Sequence, residues 1–228
     1  MLRKTFASLL LTTLFAEPTF AGFYAGVAAG PEGAYFSQKS RVTRLGTFDV
    51  IDKEHFAGIG GFGSLFVGYG QQYNQYYLAL EANANLSSVK YQLTNDEYIH
   101  QTFSKTTFRI RNSEGISLLP GYFLTNKTLA YARIGYINGH LKIVDADPTV
   151  GNFKKNLNGI RYGLGLKHNL TAKLALRMDY SQVNYGRVRG VVFEPFGMVS
   201  KATRISSHTA QVAFGLIYNF DEPRVYTK

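Results

Sequence analysis

The stretch from Gln75 to Leu86, "QYYLALEANANL", alternates without a break. Tyr76, Leu78, Leu80, Ala82, Ala84 and Leu86 share one parity, while Gln75, Tyr77, Ala79, Glu81, Asn83 and Asn85 share the other. Successive side chains of a strand point to opposite faces, so this period of two specifies a strand with one oily and one polar face. The chain must therefore build a sheet whose two faces meet different surroundings. The remaining sequence has to say which of them looks outward.

The pattern recurs. Strand-like segments begin at residues 22, 56, 75, 108, 129, 156, 174 and 205. Each is long enough to cross a bilayer as a tilted strand of about 9–11 residues. Tight connections at 71–74, 125–128 and 169–173 alternate with long polar ones at 37–55, 90–107, 143–155 and 186–204. An even number of strands joined in this way is the plan of a closed membrane barrel with both termini at the short-turn end. The expected fold is all-β: an eight-stranded antiparallel up-and-down transmembrane barrel with short periplasmic turns and four long extracellular loops.

A water-soluble carrier would show the same alternation with its faces reversed. Three features separate the two. The polar parity is rich in small residues, as in Tyr24, Gly26, Ala28, Gly30, Glu32 and in Gly159, Arg161, Gly163, Gly165, Lys167, which suits an interior just wide enough for side chains to fill. The apolar parity carries rings near strand ends, namely Tyr69, Tyr76, Tyr122, Tyr136, Tyr162, Tyr180, Tyr218 and Phe220, and such rings favour the lipid–water boundary. Third, the chain opens with basic "MLRK", apolar "TFASLLLTTLFA" and small residues at Thr19 and Ala21. That is the three-part plan of a secretory leader, and the apolar run is too short to span a bilayer as a helix. The expected organisation is a cleaved leader over 1–21, a barrel over 22–220 and a short periplasmic tail over 221–228. The oily face then looks into lipid, where only a closed strand structure satisfies its backbone.

The polar face becomes the interior. Its charged members by parity are Glu32, Glu81 and Asp179 against Arg133, Arg161, Arg177 and Lys167. Buried charges must be paired, so the carboxylates are expected to share the arginines in an internal network. Paired carboxylates can also serve acid–base catalysis, but the flanking arginines favour the structural role.

"GFYAGVAAG" after the leader, "FVGYG" before the first tight turn, "LAYARIGY" and the closing "AQVAFGLIYNF" resemble eight-stranded outer-membrane barrels of Gram-negative bacteria, the group of opacity proteins, small surface antigens and the OmpA transmembrane domain. The resemblance covers the chain beyond the leader. It implies the bacterial outer membrane as location and the barrel-insertion machinery as a partner. That machinery reads a terminal aromatic signal, here Tyr218 and Phe220, although "DEPRVYTK" follows Phe220. It also admits a small low-conductance pore, a small-ligand receptor, for example for hemin, or a lipid A-modifying hydrolase.

The residues give the hydrolase little. His208 in "SSHTAQ" has Ser206 on the same face, but both face lipid by parity and no acid partner is apparent. The five histidines are scattered and cysteine is absent, so no metal, cofactor or catalytic set is expected. "GIGGFG" at 58–63 precedes no helix and cannot cradle a phosphate as such loops do.

The long connections remain. Segments 37–56, 90–111, 142–157 and 186–204 hold fifteen Lys or Arg against eight Asp or Glu, most of the chain's formal +10. Lys39, Arg41, Arg44, Lys154, Lys155, Arg187, Arg189, Lys201 and Arg204 are expected to meet anions, such as lipopolysaccharide phosphates or acidic glycans of a host surface. No nucleic-acid module is visible. The sequence thus points to a monomeric barrel, filled inside, that acts in envelope structure or in adhesion through basic loops.

Overall fold

The computed structural model describes residues 20–44, 47–97, 102–145, 153–194 and 199–221. It is a closed eight-stranded antiparallel barrel. β1 (Phe20–Arg44), β2 (Phe48–Tyr73), β5 (Thr102–Phe123), β6 (Thr128–Asp145), β7 (Phe153–Asn169) and β10 (Val199–Asn219) are continuous staves. β3 (Tyr76–Ser87) with β4 (Lys90–Glu97), and β8 (Leu174–Tyr185) with β9 (Val188–Glu194), are staves interrupted once each. Each stave pairs with its neighbours in chain order, and β1 pairs with β10 to close the wall. β1 begins two residues before the expected mature start; residues 1–19 of the leader and 222–228 of the tail lie outside the described residues.

The alternation of β3 orients the wall. Leu80 is 57% exposed on the outer surface, whereas Glu81 beside it is 1% exposed inside. All eight rings assigned to the lipid face point outward. At the turn end they pair as Tyr76 with Tyr122 and Tyr218 with Phe220, and Phe23 joins Tyr69, at centroid distances of 5.6, 5.4 and 4.8 Å.

The short turns are specified locally. Asn74 adopts φ 52° between the paired Tyr73 and Tyr76, a left-handed conformation that asparagine tolerates. "LTNKT" and "LTAKL" close the other two turns differently, each through a threonine hydroxyl. Thr125 Oγ1 accepts from the N–H groups of Lys127 and Thr128, and Thr171 Oγ1 from those of Lys173 and Leu174.

The long connections differ from the expectation. Among the described residues they are mostly strand, not loop: β1 and β2 stay in register out to Arg44 and Phe48, and β10 pairs with β1 over the same span. The physical reason lies in segments such as "SRVTR" and "FDVID", where β-branched residues favour a pleated backbone despite the polar composition. The ladder between β2 and β3 ends at Phe62 and Ser87, and that between β7 and β8 at Gly159 and Tyr185. Beyond these pairs the described wall divides into two four-stranded sheets, β9–β10–β1–β2 and β4–β5–β6–β7. Ser88 marks one division, its hydroxyl bonding both backbone groups of Gly61, while Val89 turns inward and is buried.

Candidate functional site: a filled interior and a cationic outer wall

The interior is layered. At the turn end Tyr24, Phe66, Leu119, Leu129, Tyr131 and Ile217 form an apolar cluster. At the hairpin end Phe36, Val89, Ile137, Leu141, Leu157 and Val183 form another. Glu81, Asp179, Arg133, Arg177, Arg161 and Glu32 lie between them, whereas Lys167 sits at the turn end beside Tyr24.

Glu81, Asp179, Arg133 and Arg177 make a closed ring. Arg133 Nη2 lies 2.9 Å from Glu81 Oε1 and 3.1 Å from Asp179 Oδ2; Arg177 Nη1 lies 2.7 Å from Glu81 Oε2, and its Nη2 2.8 Å from Asp179 Oδ2. These side chains are at most 4% exposed, so two positive and two negative charges balance inside a medium that would heavily penalise any one alone. Tyr24 and Tyr131 donate their hydroxyls to Glu81 Oε2 and Asp179 Oδ2 at 3.1 and 2.8 Å. The Arg177 guanidinium lies over the Phe66 ring, 4.6 Å from its centroid, a favourable contact for a desolvated cation.

The remaining interior charges are not part of this ring. Arg161 donates to Ser181 Oγ and Gln211 Oε1, and Gln211 Nε2 donates to Glu32 Oε1. Arg161 therefore meets Glu32 through an amide instead of sharing a carboxylate directly. Lys167 donates to Asn219 Oδ1 at 3.1 Å and stands over the Tyr24 ring. The tyrosines, Ser181 and Gln211 escaped the sequence reading because hydroxyl and amide partners carry no charge pattern. Their inward parity was the available signal. Residual cavities beside the ring hold about 10 Å³ each, so the packed interior offers no lumen there.

His208 and Ser206 do face outward. The His208 Nδ1 hydrogen-bonds the Asn184 side-chain oxygen at 2.8 Å, and its ring packs near Tyr35, which bonds His55. An amide and a phenol, not a carboxylate, are the described polar neighbours of this histidine.

Of the basic residues assigned to the long connections, Lys39, Arg41, Arg44, Arg187 and Arg204 are exposed. The side chains of Lys154, Lys155, Arg189 and Lys201 lie outside the described ones. Arg41 grips Asp49 through Nε and Nη2 at 2.9 and 2.5 Å, and these hydrogen bonds hold the Asp49 carboxyl below its usual range. Fully exposed, the pair contributes little to stability, but it occupies the one described exposed acid of that hairpin. At the closing end, Phe220 N–H donates to Phe23 O, and Asp221 Oδ2 accepts from Phe23 N–H at 2.9 Å. The first residue of the expected tail thus joins the seam beside Phe220.

In three dimensions the chain is similar to Ail, the attachment invasion locus protein of Yersinia pestis, crystallised with the heparin analogue sucrose octasulfate. The two are 13% identical over 87% of this chain and 99% of that chain, with a TM-score of 0.40. It is also similar to OprG of Pseudomonas aeruginosa, at 13% identity, 87% and 96% coverage and a TM-score of 0.49, and to the Escherichia coli outer membrane protease OmpT, at 12%, 87% and 97%, and 0.45. No curated protein matches the sequence. Residues 6–220 match the outer membrane protein beta-barrel domain, and with this span of the chain accounted for, the protein belongs to the outer-membrane β-barrel family.

Proposed function

We propose that this outer-membrane barrel is closed to ions and works through its outer surface, presenting cationic hairpins at the cell exterior to anionic partners in envelope organisation or adhesion. The observation that carries the reading is the interior: two apolar layers enclose a charge-balanced ring, with cavities of about 10 Å³ beside it. Eight strands leave an interior that side chains can fill, and a dry apolar constriction opposes ion passage. The exposed cations of the hairpins are available for charge-assisted contacts with phosphate or sulfate groups. The neighbours of His208 support a binding role over a hydrolytic one.

Planar-bilayer recording of the refolded protein tests closure, with a heat-dependent gel shift as the folding control. A folded, silent barrel is expected, and steady current steps would replace this reading with a pore. Retention on immobilised heparin tests the surface role. Binding should weaken steeply with added salt, because exposed charges are screened; no retention at low salt would remove the anionic-partner half of the proposal.

A further inference from the structure

The strand register arranges the hairpin cations in a way their sequence positions do not reveal. On β9–β10–β1–β2, Lys39 is paired with Lys53 on one side and Arg204 on the other, and Arg204 is paired with Arg189. On β4–β5–β6–β7, Arg109 is paired with Lys90 and Lys142, and Lys142 with Lys154. Each sheet thus carries one cation on every strand at a single register level. Lys39, Lys53, Arg204, Lys90 and Lys142 are exposed. Directly opposed residues share a face, and like charges so placed destabilise a sheet. Among the described residues no carboxylate pairs with these exposed cations, and Asp49 is taken by Arg41. The directly opposed exposed cations Lys39, Lys53 and Arg204 repel one another in a way that a bound anion offsets, and on the other half of the barrel the exposed Lys90 and Lys142 stand at one register level on either side of β5.

Resting on the surface-contact reading above, we propose that the two rows form a girdle for the phosphate groups of a phosphorylated glycolipid in the outer leaflet. Position favours a membrane-borne phosphate. Lys39 lies two outward positions beyond Tyr35, roughly 13 Å along the strand, and short of the Arg44 tip. That is the wall just beyond the ring-bearing band, within reach of headgroups. The rows also divide the perimeter between them. A soluble polymer approaching from one side meets one row, whereas lipids surrounding the barrel meet both. Ser37 is in register with His55 and Ser206 on the membrane side of the first row, and His140 with Asn156 on that side of the second. These add further hydrogen-bonding side chains next to the cations, while lysine and arginine stems can lie along the wall with their heads at the phosphates.

The test uses the protein refolded in phosphatidylcholine nanodiscs, with bis-phosphorylated lipid A as the lipid probe and heparin as the soluble one. K39Q/K53Q/R204Q and K90Q/K142Q remove the described exposed cations of each row; K127Q/K173Q removes two cations from the opposite end. Each row variant should bind lipid A at least about tenfold more weakly than wild type, while K127Q/K173Q stays within about twofold. Without lipid A the row variants should melt at or above the wild type, because repulsion is relieved. Adding lipid A should raise the melting temperature of wild type and control, with a smaller rise for the row variants. Unchanged lipid A affinity in both row variants overturns the proposal. If heparin binding falls but lipid A binding does not, the rows serve a soluble glycan and only the lipid assignment fails. Loss of both ligands by wild type would reject the surface-contact reading too.

Discussion

Glu81 accepts on both of its oxygens, from Arg133 on one and from Arg177 and Tyr24 on the other, whereas Asp179 takes its donors on Oδ2 and leaves Oδ1 without a partner. Glu81 is therefore the more fully engaged carboxylate. Removing it leaves two buried guanidinium groups to share one anion, which costs far more than the intact pairs contribute over apolar packing. Glu81→Ala should lower unfolding stability by about 3–5 kcal/mol, read as an earlier transition in urea with folding checked by gel shift. Glu81→Ala/Arg177→Ala should lose less than the sum of the single changes, because the second removes a charge that the first orphaned. Strictly additive losses would mean the ring carries no coupling. The inward charges were legible from parity alone. Their partition into a ring and a separate Arg161–Gln211–Glu32 chain was not, because parity names the face but not the height or the angular position around the barrel.

Between neighbouring strands, bulky inward residues are accommodated by glycine. Gly68 is in register with Tyr24, and Gly165 with Tyr131. A Cβ on Gly165 would stand 2.3 Å from the Tyr131 hydroxyl and ring, so a side chain there would push the phenol off Asp179. Gly63, on the outer wall, has nothing within 4 Å of such an atom. Gly165→Val should therefore shift the heat-dependent transition down by a margin well outside error, while Gly63→Val leaves it nearly unchanged. Equal effects would show that general strand stiffness, not the tyrosine contact, sets the need for glycine. The sequence made the tight turns legible through the short spacing between strand-like segments at 71–74, 125–128 and 169–173. It concealed the outer hairpins because their polar residues satisfy the composition of a loop, while backbone pairing depends on partners many residues away. The cation rows were hidden for the same reason: Lys39 and Arg204 become neighbours only when β1 meets β10.

For the molecule as a whole, the order of the layers determines what the charge ring can control. If the ring were the sole obstruction, removing its cations would open a path along the axis. Here the apolar cluster around Phe36, Ile137, Leu141 and Leu157 lies toward the hairpins, and that around Leu119, Leu129 and Ile217 toward the turns. Water and ions would still face apolar constrictions on either side. Arg133→Ala/Arg177→Ala should consequently lose stability, as two buried carboxylates become uncompensated, yet remain without steady conductance in a planar bilayer. A narrower substitution guards against outright unfolding: Arg133→Met keeps much of the side-chain volume, leaves Arg177 between Glu81 and Asp179, and should also be silent. Reproducible steps from the folded Arg133→Met barrel would show that the apolar layers do not seal the axis. The ring would then be a gate, and the protein's activity would have to be sought inside the barrel.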